Sequence, residues 1–132
     1  MKKIFFLLMF SISVFGAEIA WNTSYDSARA KAKKESKPLM VLITSEDCRW
    51  CRKLEATTLQ DEEIISRINT QFQAINVTKD KSVYPKSLTA KMVPMSYFLD
   101  PSNGKVLYSI PGYWESEDYH SVLDDALRKY KK

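Results

Sequence analysis

Five consecutive apolar residues, Leu39-Met40-Val41-Leu42-Ile43, stand between Pro38 and the polar stretch Thr44 to Asp47. A run this short, with no polar residue on either alternating set, fits a β-strand covered on both faces. Such a strand belongs inside a sheet, with other elements packed above and below it. The run therefore predicts the central strand of an α/β sandwich, and the rest of the chain must supply the cover.

Ahead of the run, Trp21, Tyr25, Ala28 and Ala32 recur at helical intervals, with Arg29, Lys31, Lys33 and Lys34 on the other faces, and Pro38 ends the helix. Behind it, Cys51, Leu54 and Thr58 keep helical spacing, and Asp61 begins a second helical piece with Ile64, Ile65 and Ile68 on one side. Phe72 to Val77 reads as a second strand, Ser87 to Met92 as a short helix near Pro85, and Met95 to Leu99 as a third strand. The turn residues Asp100-Pro101-Ser102-Asn103-Gly104 join that strand to Lys105 to Ile110 as a hairpin. Ser116 offers an N-cap to a last helix with Tyr119, Val122, Leu123, Ala126, Leu127 and Tyr130 on its face. A right-handed crossover makes the first two strands parallel, and the hairpin adds an antiparallel edge.

At 132 residues with a 45% hydrophobic share, the chain suits one domain with a real core. Residues 1–17 have the layout of a secretory signal peptide: Lys2 and Lys3, an apolar run from Ile4 to Phe15, and an exit at Gly16-Ala17. Cleavage is expected after Gly16 or Ala17, leaving a domain over 18–132 without stable membrane insertion, since about 12 apolar residues fall short of the ~20 that span a bilayer. Loss of the two lysines lowers the formal charge from +4 to +2. That is no nucleic-acid footprint.

Export gives meaning to the two cysteines, Cys48 and Cys51, which share one Cys-x-x-Cys. Bridging residues three apart constrains the unfolded chain little, so a purely structural disulfide is a poor use of them. A closed zinc site wants four ligands, and His120 stands alone in the last helix as a surface residue, so no metal is expected. The spacing instead places both thiols at a helix N-terminus beyond the carboxyl end of the central strand, where ligand chemistry gathers in α/β sheets. There the unpaired N–H groups favour the Cys48 thiolate and Arg49 adds a positive charge, while Glu46 and Asp47 oppose them. Cys48 is thus the expected nucleophile, and Cys51, a turn further on and better shielded, the resolving thiol.

Strand before, helix after and a downstream Val93-Pro94 make the constellation specific. Through Lys37 to Ile43, Cys48-Arg49-Trp50-Cys51, Val93-Pro94 and Gly112-Tyr113 the chain resembles the thioredoxin superfamily, over nearly all of the mature sequence. The stretch Cys51-Arg52-Lys53-Leu54-Glu55, with Thr58-Leu59 and Asn76-Val77-Thr78, is similar to the periplasmic C-terminal domain of the thiol:disulfide interchange protein DsbD and its stand-alone relatives.

The resemblance implies a three-layer sandwich around a mixed sheet, parallel strands plus the C-terminal hairpin, flanked by helices. It also implies a cis Pro94 packed against the disulfide, and Glu55 approaching the thiols as a proton-transfer or pKa-tuning carboxylate; a solvated helix carboxylate is the other reading of Glu55. Leu42 stands where many thioredoxins carry a buried carboxylate, and Arg49-Trp50 differs from the common Gly-Pro. In this fold Arg49, Trp50, Val93, Pro94 and Tyr113 face the substrate, although Tyr113 and Trp114 could equally cap the core.

The implied function is a periplasmic thiol:disulfide oxidoreductase exchanging with protein disulfides or thiols, with no cofactor beyond its own dithiol and a separate redox partner such as a membrane electron donor. The reducing direction comes first; oxidase, isomerase and a non-enzymatic binding module on the same fold are the alternatives.

Overall fold

The computed structural model describes residues 18–132. The expected leader over 1–17 lies outside the described residues, and among those described no helix is long and apolar enough to cross a membrane.

Helix α1 covers Tyr25–Glu35. It starts later than its sequence period suggests, because the Ser24 hydroxyl accepts from the Ser27 amide and caps the helix there. Trp21 is therefore not helical. It makes an isolated parallel bridge to Ala74, and Asn22 donates its amide to the Ala74 carbonyl at 2.9 Å, so this segment lies along the sheet edge. At the other end Ser36 turns left-handed and returns its amide to the last carbonyls of the helix.

Strand β1 (Leu39–Thr44) is buried at every position, as its uniform apolarity requires. Helix α2 (Arg49–Ala56) follows, then a single 3-10 turn at Thr58–Gln60, helix α3 (Glu62–Gln71) and strand β2 (Gln73–Thr78). Asp61 starts α3 by accepting from the amides of Glu63 and Ile64 at 2.9 and 3.2 Å. Those backbone bonds, Ile64's first, hold its carboxyl below the usual range.

Strands β3 (Met95–Leu99) and β4 (Val106–Pro111) form the hairpin, closed through Gly104 at a φ of +73°. Helix α4 (Ser116–Tyr130) ends the chain. Its cap position is Glu115, which makes no side-chain cap bond, so Ser116 is the first helical residue rather than the cap.

The sheet order is β2-β1-β3-β4, with β1 and β2 parallel and the other two pairings antiparallel. One face carries Met40, Leu42, Ala74, Phe98 and Ile110 against α2, α3 and α4. The opposite face carries Leu39, Val41, Ile43, Ile75 and Val77 against α1 and the segment after β2. This is the three-layer α/β sandwich.

That segment is not the helix expected over Ser87 to Met92. It runs as turns and bends in which Leu88 and Ala90, two apart, are buried while Thr89 between them is exposed. Alternate burial covers the sheet with two side chains and no helical turn, and the Tyr97 hydroxyl secures it by donating to the Thr89 carbonyl.

Candidate active site

The carboxyl end of β1 delivers the chain through Ser45, Glu46 and Asp47 to Cys48, the extended N-cap of α2. Two contacts hold this loop: Lys81 Nζ meets Glu46 Oε1 at 2.5 Å, and the Arg52 guanidinium donates to the Glu46 carbonyl at 3.3 Å. Cys48 and Cys51 form a disulfide with their Cα atoms 5.2 Å apart. The Cys51 amide also donates to the Cys48 sulfur at 3.1 Å. Both residues are largely covered in this oxidised state, Cys48 at 7% and Cys51 at 2% exposure, so Cys48 is the more open of the two by a small margin.

Beside the disulfide lies a groove of about 290 Å³ lined by Trp50, Met92, Val93, Gly112 and Tyr113. Trp50 is 52% exposed, its ring centroid 5.8 Å from that of Tyr113. Tyr113 is only partly buried; its hydroxyl lies 3.3 Å from Thr57 Oγ1, and its ring forms a wall of the groove while also packing against the core. The Val93–Pro94 peptide bond is cis. Pro94 is buried, and its carbonyl accepts from the Gly112 amide at 2.7 Å, which ties the two sides of the groove together. Gly112 has a φ of +86°, a conformation that side chains rarely adopt.

Arg49 is exposed on the first turn of α2 and does not line the groove. Glu55 is half-buried and points elsewhere: Asn76 Nδ2 donates to its Oε1 at 2.7 Å, and Thr44 Oγ1 donates to Asn76 Oδ1 at 3.1 Å. This chain of polar groups lies beside a recess of about 360 Å³ lined by Glu18, Ile19, Trp21, Glu55 and Asn76 among others. Glu55 is thus neither a freely solvated carboxylate nor part of the groove. His120 also departs from the surface reading: it is partly buried, with the Arg67 guanidinium 3.1 Å from its Nδ1 and donating to its carbonyl.

The family of thioredoxin-like domains matches residues 25–127. The chain belongs to that family. Among curated relatives, anterior gradient protein 3 of Xenopus tropicalis is 33% identical over 91 residues, 67% of this chain and 54% of the relative. The anterior gradient protein 2 homolog of Homo sapiens is 30% identical over 117 residues, 86% of this chain and 64% of the relative. The chain spans about half the length of the anterior gradient protein 3 sequences it matches.

Among solved structures, DsbH oxidoreductase has a TM-score of 0.70 at 22% identity, covering 92% of each chain. A thioredoxin from Thermus thermophilus has a TM-score of 0.74 at 21% identity, covering 86% of this chain and 90% of its own. The C-terminal domain of DsbD from Neisseria meningitidis, in the oxidised form, has a TM-score of 0.61 at 16% identity over 76% of this chain and 90% of its own. At these identities the likeness is one of fold.

In this thioredoxin-like domain the disulfide that caps α2 is a two-electron couple. Two parts of the site are not evident from sequence spacing alone. Met92 falls within the helix that the sequence pattern predicts, although its position next to Val93-Pro94 is the signal that it belongs to the groove. In sequence Lys53 stands out only as part of the DsbD-like stretch, yet its Nζ lies 5.1 Å from the Trp50 ring centroid and 4.7 Å from that of Tyr113. Its spacing of three from Trp50 on one helix marks the first of these contacts.

Proposed function

We propose that this chain is a periplasmic thiol:disulfide oxidoreductase that reduces protein disulfides through Cys48 and Cys51. The observation that carries the reading is the disulfide at the N-terminus of α2, flanked by an open apolar groove. In the reduced protein the Cys48 thiolate attacks a client sulfur and forms a mixed disulfide. Cys51 then gives up its proton and displaces that client thiolate, leaving the Cys48–Cys51 bond and a client carrying two thiols. Two electrons pass from protein to client.

Val93, at the groove wall, offers backbone groups to an extended segment, while Pro94 has no N–H with which to continue a strand. Trp50 and Tyr113 supply apolar surface to the same segment, and Arg49 contributes charge beside it. Glu55, four residues after Cys51 on α2, tunes the pair electrostatically in this reading while Asn76 holds its carboxylate. No cofactor beyond the dithiol enters these steps.

The DsbD-like stretches around Cys51 to Glu55 and Asn76 to Thr78 support the reducing direction and a membrane electron donor as redox partner. The leader pattern of residues 1–17 supports export to the periplasm. Reduction of insulin disulfides by the wild-type protein, its loss in Cys48→Ser, and a redox equilibrium with glutathione that lies on the reducing side are the expected results. A protein inert toward insulin and toward small disulfides, but still binding clients after Cys48→Ser, would establish the binding module instead.

A further inference from the structure

Resting on that function, we infer that Lys53 sets client choice, and that the preferred clients present an acidic side chain next to an apolar residue near the target disulfide. The ammonium of Lys53 lies over both aromatic rings that frame the groove, 5.1 Å from the Trp50 centroid and 4.7 Å from that of Tyr113. The two rings are themselves in contact, and Thr57 holds the Tyr113 hydroxyl. Ring faces attract a cation but accept no strong hydrogen bond, so the Lys53 N–H groups keep their donor capacity for an incoming carboxylate.

Among the described residues no carboxylate lies within ion-pair distance of Lys53 Nζ. On the first turn of the same helix Arg49 is exposed and has no ion-pair partner among the described residues, while in the loop before Cys48 Glu46 is engaged by Lys81 and Asp47 is exposed. The groove thus pairs apolar walls with one cation, Lys53, over two of its rings. An apolar client side chain would enter between Trp50, Met92 and Tyr113 while its acidic neighbour meets Lys53.

The redox step is unchanged: the protein dithiol becomes the disulfide and the client disulfide becomes two thiols. Lys53 contributes only to binding and orientation. A solvent-accessible ion pair of this kind gives a preference of about two- to fivefold, larger at low ionic strength and screened by salt.

The test uses two disulfide-looped peptides, identical in sequence with a leucine beside one cysteine and differing in the next residue, Glu or Lys. Reduction by pre-reduced protein is followed at 20 mM and 500 mM salt, with 2-hydroxyethyl disulfide as a neutral reference substrate. The wild-type kcat/KM is expected to favour the Glu peptide about threefold at low salt, and the ratio to approach one at high salt. Lys53→Met, which keeps an apolar stem against the rings, is expected to abolish the ratio, Lys53→Arg to retain it, and Lys53→Glu to invert it. Equal rates on the two peptides in wild type, or a ratio unaltered in Lys53→Met, overturn the assignment of Lys53 and leave the oxidoreductase standing. Failure to reduce either peptide or the reference disulfide overturns the function on which it rests.

Discussion

The backbone amide of Cys51 donates to the sulfur of Cys48 at 3.1 Å, so the first cysteine of the pair caps the helix that carries the second. When the disulfide is reduced, that N–H faces a sulfur whose anionic form it stabilises, together with the partial positive charge of the helix end. The asymmetry between the two thiols is built into the backbone.

It has a direct consequence for trapping. Cys51→Ser leaves Cys48 able to form mixed disulfides but removes the group that resolves them, so disulfide-linked clients are expected to accumulate on non-reducing gels. Cys48→Ser is expected to show almost none. Equal accumulation by both variants would reverse or erase the assignment.

Glu55 offers a second measurement. Its carboxylate is held by Asn76 on β2, one helical turn beyond Cys51. If it acts on the thiols, Glu55→Gln removes a negative charge and eases thiolate formation, so the ultraviolet thiolate titration of Cys48 is expected to move modestly to lower pH. An unmoved titration assigns Glu55 to holding α2 against β2.

Gly112 tests the geometry of the groove. An added Cβ would meet only Met92 Cε, at 3.8 Å, an ordinary contact, so the cost of Gly112→Ala comes from its φ of +86°. A loss of about 1 kcal/mol is expected, read as a lower urea midpoint with an unchanged slope.

Tyr119 lies wholly in the core, 3.0 Å from Ser96 Oγ, and burial pushes its hydroxyl pKa up to about 12. Its ionisation in the unfolded chain begins near the ordinary tyrosine value of about 10, so the unfolded state loses this proton first as pH rises. The stability that Tyr119 contributes is therefore complete below about pH 10 and is lost between there and about pH 12. Tyr119→Phe leaves Ser96 without its partner and is expected to cost about 1–2 kcal/mol at pH 7. Above pH 10 the gap between the two proteins is expected to narrow; chemical denaturation across that range measures it. Tyr25 and Tyr130, raised mainly by burial, retain part of the alkaline slope in the variant.

Several features were legible in sequence because their cause is local. Leu39 to Ile43 reads as a central strand from the absence of any polar face, and β1 is buried throughout. Asp61 announces α3 because a short carboxylate reaches the next free amides. The turn ending at Gly104 declares the β3–β4 hairpin by its φ requirement. The cysteines needed only the strand before them and the helical spacing after them to be placed at the start of α2.

Elsewhere tertiary contacts override local spacing. Trp21 shares a helical interval with Tyr25, yet the Ser24 cap and the exposed edge of β2 draw it into a bridge with Ala74. Leu88 and Ala90 look compatible with a helix, but the sheet face beneath them is covered by alternate side chains of an irregular segment. His120 looks solitary because Arg67, its partner, stands 53 residues earlier on a different helix.

Periodicity and turn chemistry within a few residues suffice for the central strand, the redox pair at a helix start and the closing hairpin. Long-range packing is what sets Tyr113 against Trp50 and under Lys53, bonds Gly112 to Pro94, and turns Glu55 toward Asn76. Those contacts join segments tens of residues apart, and no local period encodes them. They form when packing both faces of β1 brings the start of α2, the entry to β3 and the exit of β4 to one end of the sheet.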